Sequence, residues 1–209
     1  MKLSSFLLSA MILVVCSASL LFLGSWIMGK YAFFLLLNGN GGGWADHFFK
    51  WLTYLGDGWI WVPVFVFTWI HFRNRVGLVL LSVIISTLLS QTGKQILFPN
   101  ELRPAAGEIA RTEIHTVSGV DLHTGNSFPS GHTTTAFTIF LLICNFIPKR
   151  NTIMIGYSIA VGVGYSRIYL AQHFPVDVAA GMLVGVCSVL CSLYIEQYLP
   201  SKKASHEVE

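Results

Sequence analysis

Charge is scarce in this chain. Charged residues make up 11% of its 209 positions, where a soluble globular domain carries about a quarter. That shortage argues against a water-exposed surface and for a membrane protein. Charge imbalance is also small: the net value is +3 and the basic residues are scattered, so no nucleic-acid partner is expected. Cysteine is sparse and uniformly placed, with Cys16, Cys144, Cys187 and Cys191 all inside apolar runs. None has metal-ligand spacing, and apolar filler is a better reading than a disulfide framework or metal site. The length suits one domain, 1–209.

Long apolar runs take the place of charge. A helix needs about 20 apolar residues to cross the hydrocarbon core. The runs Ser5–Met28, Asp57–Phe72, Val76–Leu97, Ser130–Ile147, Thr152–Leu170 and Pro175–Leu199 are predicted spans. The expected fold is therefore all-α, a bundle of six transmembrane helices with both termini on one side. With the N-terminus inside, the inner segments carry Lys2, Arg73, Arg75, Lys149, Arg150, Lys202 and Lys203. The outer segments carry Lys30, Lys50, Lys94, Arg103, Arg111 and Arg167. The inner charges sit in very short turns and a basic tail, where the positive-inside rule applies best. Cytoplasmic termini follow.

The first run resembles a secretory signal in its start, Lys2 before an apolar stretch. Its continuation through Leu20–Trp26 is too long for a signal core, so an anchor is expected. The segment Lys30–Gly56 then lies outside the membrane. Within it Trp44, Phe48, Trp51, Leu52 and Leu55 recur at helical spacing, which predicts an amphipathic helix in the interface. The Gly39–Gly43 run follows no strand and opens no nucleotide-binding turn, so it reads as a flexible linker. A second outer segment, Phe98–Pro129, is polar and broken by Pro99, Pro104, Gly107, Gly119 and Gly125. A connection that long between spans tends to be functional.

Three short stretches beside these runs carry the chemistry. In Pro129-Ser130-Gly131-His132, the apolar run begins directly after the proline. Ser130 and Gly131 thus fall at a helix N-terminus, where free backbone N–H groups and the helix dipole favour an anion. Ser130 also reads as a plain N-cap, and His132 as a proton donor or a packing residue. In the second stretch, Ser166-Arg167 is followed by His173 and Asp177. A guanidinium fork suits phosphate oxygens. A carboxylate four residues after a histidine can fix its tautomer and leave the other ring nitrogen as nucleophile or base; an interfacial His–Asp hydrogen bond is the bland alternative. The third is Lys94 with Arg103-Pro104, each readable alone as a snorkelling cation. All three stretches fall on the outer face of the derived topology. Three cations, two histidines and a helix N-terminus on one side make a phosphate-handling set.

These motifs resemble those of the type 2 phosphatidic acid phosphatase superfamily, which includes vanadium haloperoxidases and bacterial acid phosphatases. Its signature is a lysine with a following Arg-Pro, then Pro-Ser-Gly-His, then Ser-Arg with five residues to His and three more to Asp. The last two blocks match fully. The first departs: eight residues separate Lys94 from Arg103 where the family has six, an excess that a bulge near Pro99-Asn100 would absorb. The matched core is 94–177. The resemblance implies a single integral-membrane phosphatase domain in which His173 attacks phosphorus, Asp177 orients it, and His132 protonates the leaving oxygen. Lys94, Arg103, Ser130, Gly131 and Arg167 would then hold the phosphate.

The resemblance implies a lipid phosphate or pyrophosphate substrate drawn from the bilayer, of phosphatidic acid, phosphatidylglycerol phosphate, undecaprenyl pyrophosphate or lipid A type. The derived topology puts the site on the outer, periplasmic face, and the short chain and compact loops suggest a bacterial inner-membrane protein. No cofactor or metal is expected. Glu101, Glu108, Glu113, Asp121, His115 and His123 in the polar loop match no metal motif. Vanadate-dependent halide oxidation is a second enzyme class, and a non-enzymatic lipid-binding or transport protein a third. Gly162, Gly164, Gly181 and Gly185 permit close helix packing, within one chain or between chains.

Overall fold

The computed structural model describes residues 3–106 and 112–198. Lys2, Gly107, Glu108, Arg111, Leu199, Lys202 and Lys203, invoked above for topology, the loop and the last span, lie outside the described residues. Among the described residues the secondary structure is entirely helical. Eight α-helices run in order: α1 Ser5–Met28, α2 Lys30–Leu37, α3 Gly42–Leu52, α4 Trp61–His71, α5 Val76–Thr92, α6 Gly131–Phe146, α7 Arg150–Tyr169 and α8 Pro175–Glu196.

Each predicted apolar run overlaps one of these helices. Three are long and apolar enough to cross a bilayer: Ser5–Met28, Arg73–Leu97 and Pro175–Glu196. Two shorter apolar helical segments, Gly58–His71 and Gly131–Phe146, accompany them. Their outer faces are apolar, as lipid contact requires: Trp26, Ile70 and Leu20 are all largely exposed.

Helix α8 is the hub of the bundle, packing on α1, α5 and α6, while α7 lies on α6 and α4 leans on α5. The contact with α6 depends on a glycine. A Cβ at Gly181 would stand 2.6 Å from the Ser130 carbonyl oxygen and 2.9 Å from Thr133 Cβ. Its absence lets the start of α6 settle on α8, and the Ser130 N–H then donates to the Asp177 carbonyl at 3.0 Å. Two of the sequence blocks are joined there. The small residues read as permitting close packing thus serve packing within this one chain at Gly181.

Small polar residues line the inner faces of the apolar helices. Ser82, Ser86 and Ser90 of α5, Thr134 and Thr138 of α6, and Ser188 and Ser192 of α8 are all buried. Most return their hydroxyl to a carbonyl of their own helix, as Ser82 does to Leu78 at 2.8 Å and Thr138 to Thr134 at 2.7 Å. A hydroxyl satisfied in this way can be buried at little cost while its small size lets helices approach.

The segment 30–56 differs from the sequence reading. An eight-residue helix, α2, occupies its first part, divided from α1 only by Gly29 at φ 85°. The glycine run is not wholly linker, because α3 begins at Gly42. Seven apolar residues after Lys30 have no diagnostic period, which is why α2 was not legible. The predicted aromatic face does form on α3, with Trp44 and Trp51 exposed at 77% and 69%.

Candidate active site

The C-terminal end of α7 is the natural starting point. Helix α7 stops at a turn in which Ala171 adopts φ 54°, a left-handed conformation that costs an L-residue about 1 kcal/mol. The turn lets the N–H groups of Gln172 and His173 both donate to the Arg167 carbonyl, at 2.8 and 3.1 Å. His173 is thereby folded back beside Arg167. Pro175 then opens α8 with its φ pre-set and no N–H to orphan. Asp177, two residues on, reaches back to accept the Phe174 N–H at 2.9 Å.

His173 and Asp177 are almost wholly buried, each at 1% exposure. Asp177 Oδ2 lies 3.4 Å from His173 Nδ1 and 2.5 Å from Ser127 Oγ, which donates to it. With a proton on Nδ1 facing that carboxylate, Nε2 keeps its lone pair. Burial, followed by the charges of Arg103, Arg167, Lys94 and His132, holds the His173 imidazole well below its ordinary value of 6.5. Geometry brings the expected cations to this one histidine: its N–H bonds the Arg167 carbonyl, Arg103 bonds the adjacent Gln172, and Lys94 bonds Asn126, next to Ser127.

Each cation is fixed by the polar segments. Arg103 is buried in the 98–129 loop, where its Nε donates to the Gly125 carbonyl at 2.9 Å and Nη1 to the Gln172 carbonyl and side-chain oxygen, both at 3.2 Å. Burial pulls its guanidinium below the usual arginine value. Arg167 donates through Nη1 to Thr53 Oγ1 at 2.6 Å. Its Nε, although buried, has no partner among the described residues, and neither has Asp177 Oδ1. An unpaired buried guanidinium N–H is costly unless an acceptor arrives there. Such a group suits an anion site.

Lys94 belongs to a five-residue π-helical turn, Gly93–Leu97, closed by the Phe98 N–H on the Gly93 carbonyl at 2.9 Å. A π turn accommodates one residue more than an α turn. It takes up one of the two extra residues and lies before Pro99-Asn100, where a bulge was expected. Lys94 Nζ donates to the Asn126 carbonyl at 3.1 Å, which is turned toward it by the left-handed backbone of Asn126 at φ 54°.

At the start of α6, Ser130 does act as N-cap: its Oγ accepts from Thr133 Oγ1 at 2.9 Å and from the Thr133 N–H at 3.5 Å. Its hydroxyl proton remains available to an oxygen placed beyond the helix end. The space where a Gly131 side chain would stand is open. His132 faces Asp57, with Nε2 2.7 Å from Oδ1. Asp57, Thr53, Ser127 and Gln172 all touch site residues and were not found in the sequence. They carry no motif, and only the folded path brings them in. A cavity of about 260 Å³ opens beside them, walled by His132, Arg167, Asp57, Thr53, Lys50 and Gln172. Among the described residues, no group of three metal-ligating side chains forms a cation site.

A helical membrane fold that gathers cations and two histidines at one end defines a class of membrane phosphate-handling proteins. Residues 75–201 match the PAP2 superfamily, and the chain belongs to that family. It is 31% identical to an undecaprenyl-diphosphatase of Sulfolobus acidocaldarius over 172 residues, covering 81% of this chain and 80% of that one. The crystal structure of Aquifex aeolicus LpxE superimposes with a TM-score of 0.64 at 32% identity, over 77% of this chain and 92% of that one. A PAP2-type phosphatidylglycerolphosphate phosphatase from Bacillus subtilis shares the fold, with a TM-score of 0.64 at 20% identity over 96% and 100% of the two chains. The chain is thus a multi-pass membrane enzyme, a hydrolase of phosphoric monoesters or pyrophosphates.

Proposed function

We propose that the chain hydrolyses a lipid phosphate or pyrophosphate through a phosphohistidine at His173. The observation that supports this most directly is the convergence of Lys94, Arg103, Arg167 and His132 on a buried, carboxylate-backed histidine. His173 Nε2 donates its lone pair to phosphorus as the bond to the leaving oxygen breaks, and His132 supplies the proton that oxygen needs. Water then attacks the phosphorus, gives its proton to His132, and the P–N bond breaks to release phosphate. Lys94, Arg103, Arg167, the Ser130 hydroxyl and the Gly131 N–H surround the equatorial oxygens, where fixed donors act best. Three cations balance a phosphate without a divalent metal.

In this reading the six apolar helical runs all cross the membrane and α3 lies in the interface, its exposed Trp44 and Trp51 at headgroup depth. The site then opens at the outer face of a bacterial plasma membrane, with the headgroup entering sideways and its tails left in lipid. The termini are cytoplasmic.

The test is phosphate release by detergent-purified protein with chelator present, across phosphatidic acid, phosphatidylglycerol phosphate, lipid A and undecaprenyl pyrophosphate. The last is included because it is what the name of the Sulfolobus relative states. Turnover that survives the chelator and disappears in His173→Ala is the expected result. Turnover restored only by magnesium, or retained in His173→Ala, would refute the mechanism.

A further inference from the structure

The second histidine has a carboxylate of its own, and it comes from outside all three sequence blocks. We infer that Asp57 is a positioning residue for His132, forming with it a second His–carboxylate pair that serves proton transfer to the leaving group. The inference rests on the phosphatase reading above and adds to it how the acid–base histidine is held.

Asp57 stands directly before the helical segment Gly58–His71, with extended backbone at ψ 156°. The ordinary reason for an aspartate there is to cap the helix by accepting a backbone N–H. Asp57 makes no such bond. Its carboxylate goes instead to His132 Nε2 at 2.7 Å, a charge-assisted distance.

The turn carrying Asp57 is built against this histidine. A Cβ on Gly56 would meet His132 Cβ and the His132 carbonyl oxygen at 2.8 Å each, so only glycine allows the backbone so near. Three residues earlier, Thr53 Oγ1 accepts from Arg167. The Thr53–Asp57 turn therefore holds two site residues at once.

The two pairs differ in their surroundings, and the difference sorts their roles. The side chains of His173 and Asp177 are 2% and 1% exposed, those of His132 and Asp57 27% and 31%. A nucleophile is protected by burial from every competitor except the bound phosphorus. A proton carrier has to meet both the leaving oxygen and water, and the His132 pair borders the open cavity. With Nε2–H held by Asp57, Nδ1 is the nitrogen that gives its proton to the departing oxygen and later takes one from water. Asp57 stays ionised throughout and stabilises the imidazolium before the first transfer and after the second.

The test compares two leaving groups in Asp57→Ala. An alkyl lipid phosphate requires a proton as it departs, whereas p-nitrophenolate leaves without one. The expected result is a first turnover slowed about 10²-fold on the lipid phosphate, the scale of general acid–base catalysis. With p-nitrophenyl phosphate, one equivalent of p-nitrophenolate should still be released at the wild-type rate before a slowed steady state. KM for the lipid should change little, KM for p-nitrophenyl phosphate should fall with its slowed second step, and Asp57→Glu should recover part of the rate. Equal losses in the two first turnovers, or no loss on the lipid, would overturn the proposal while wild-type and His173→Ala controls behave as expected. Full activity in His173→Ala would instead overturn the phosphatase reading, and the proposal with it.

Discussion

Ser127 and Asp177 meet at 2.5 Å, Oγ to Oδ2, and the same oxygen stands 3.4 Å from His173 Nδ1. The serine comes from the last turn of the polar loop, fifty residues away in sequence. It fixes one face of the carboxylate, while the Phe174 N–H fixes another at 2.9 Å. Three donors on one oxygen leave the aspartate little freedom to rotate away from the nucleophile.

Replacing Ser127 by alanine removes one of those restraints inside a fully buried site. The carboxylate then loses a hydrogen bond to a charged acceptor, a change of about 1.5–3 kcal/mol. We expect kcat to fall by about 10-fold or more with KM little changed, because Ser127 holds the orienting group and not the substrate. Steady-state kinetics on the preferred lipid checks this, and a change confined to KM would contradict it.

A second prediction concerns pH. Burial and four cationic neighbours keep His173 neutral to well below pH 6.5, so kcat/KM should hold its plateau down past that value and fall only in more acid solution. Removing a cation in Arg103→Gln favours the protonated imidazole and should move the acid limb to higher pH. The stability effect has a definite sign. An unfolded histidine titrates near 6.5, so between the two values the unfolded chain binds more protons, and stability is lost as pH falls through 6.5. A pH series of initial rates for wild type and Arg103→Gln tests the shift; an acid limb that moves downward in the variant would be the wrong sign.

Much of this arrangement was legible before folding, and the parts that were not share a cause. His132, Arg167, His173 and Asp177 lie at helix ends, where an apolar run marks the boundary and fixed spacing carries the pattern. Arg103 and Lys94 were readable as cations, though the register of Lys94 depended on a π turn that no residue type announces. Thr53, Asp57, Ser127 and Gln172 were illegible because each reaches the site from a different connecting segment. What delivers them is packing, such as the approach of Gly56 to His132 and of Gly181 to Ser130. Helix α2 was missed for a simpler reason: a short apolar run has no period to read.

Lys94 provides the third prediction. The lengthened spacing to Arg103 would matter if it displaced the ammonium, but Lys94 Nζ still bonds the carbonyl of Asn126, next to the Ser127 that holds Asp177. Lys94→Met keeps the aliphatic stem and deletes the charge. We expect kcat/KM to drop by about 10²–10³-fold, the loss typical of one donor to a developing oxyanion, with partial recovery in Lys94→Arg. Less than a threefold loss in the methionine variant would remove Lys94 from the phosphate cradle.

The fourth prediction tests the scaffold apart from the chemistry. Asn38 is 3% exposed and sits between α2, the 112–129 stretch and the end of α7. Its amide nitrogen lies within bonding distance of the His115, Ile168 and Tyr169 carbonyls at 3.2, 2.9 and 2.9 Å, and its oxygen accepts the His115 N–H at 2.8 Å. The Ile168 carbonyl keeps the Ala171 N–H, but Asn38→Ala leaves the buried Tyr169 carbonyl and the half-buried His115 N–H and carbonyl without this partner, at about 1–3 kcal/mol for each one that water does not reach. A lower melting temperature in detergent is expected. The Ile168 and Tyr169 carbonyls flank the Arg167–His173 turn, so the loss should extend to catalysis: kcat should fall while the pH profile keeps its shape, since no ionisable group has moved into or out of the site. An unchanged melting temperature would mean that the asparagine's hydrogen bonds do not hold the loop to the helices.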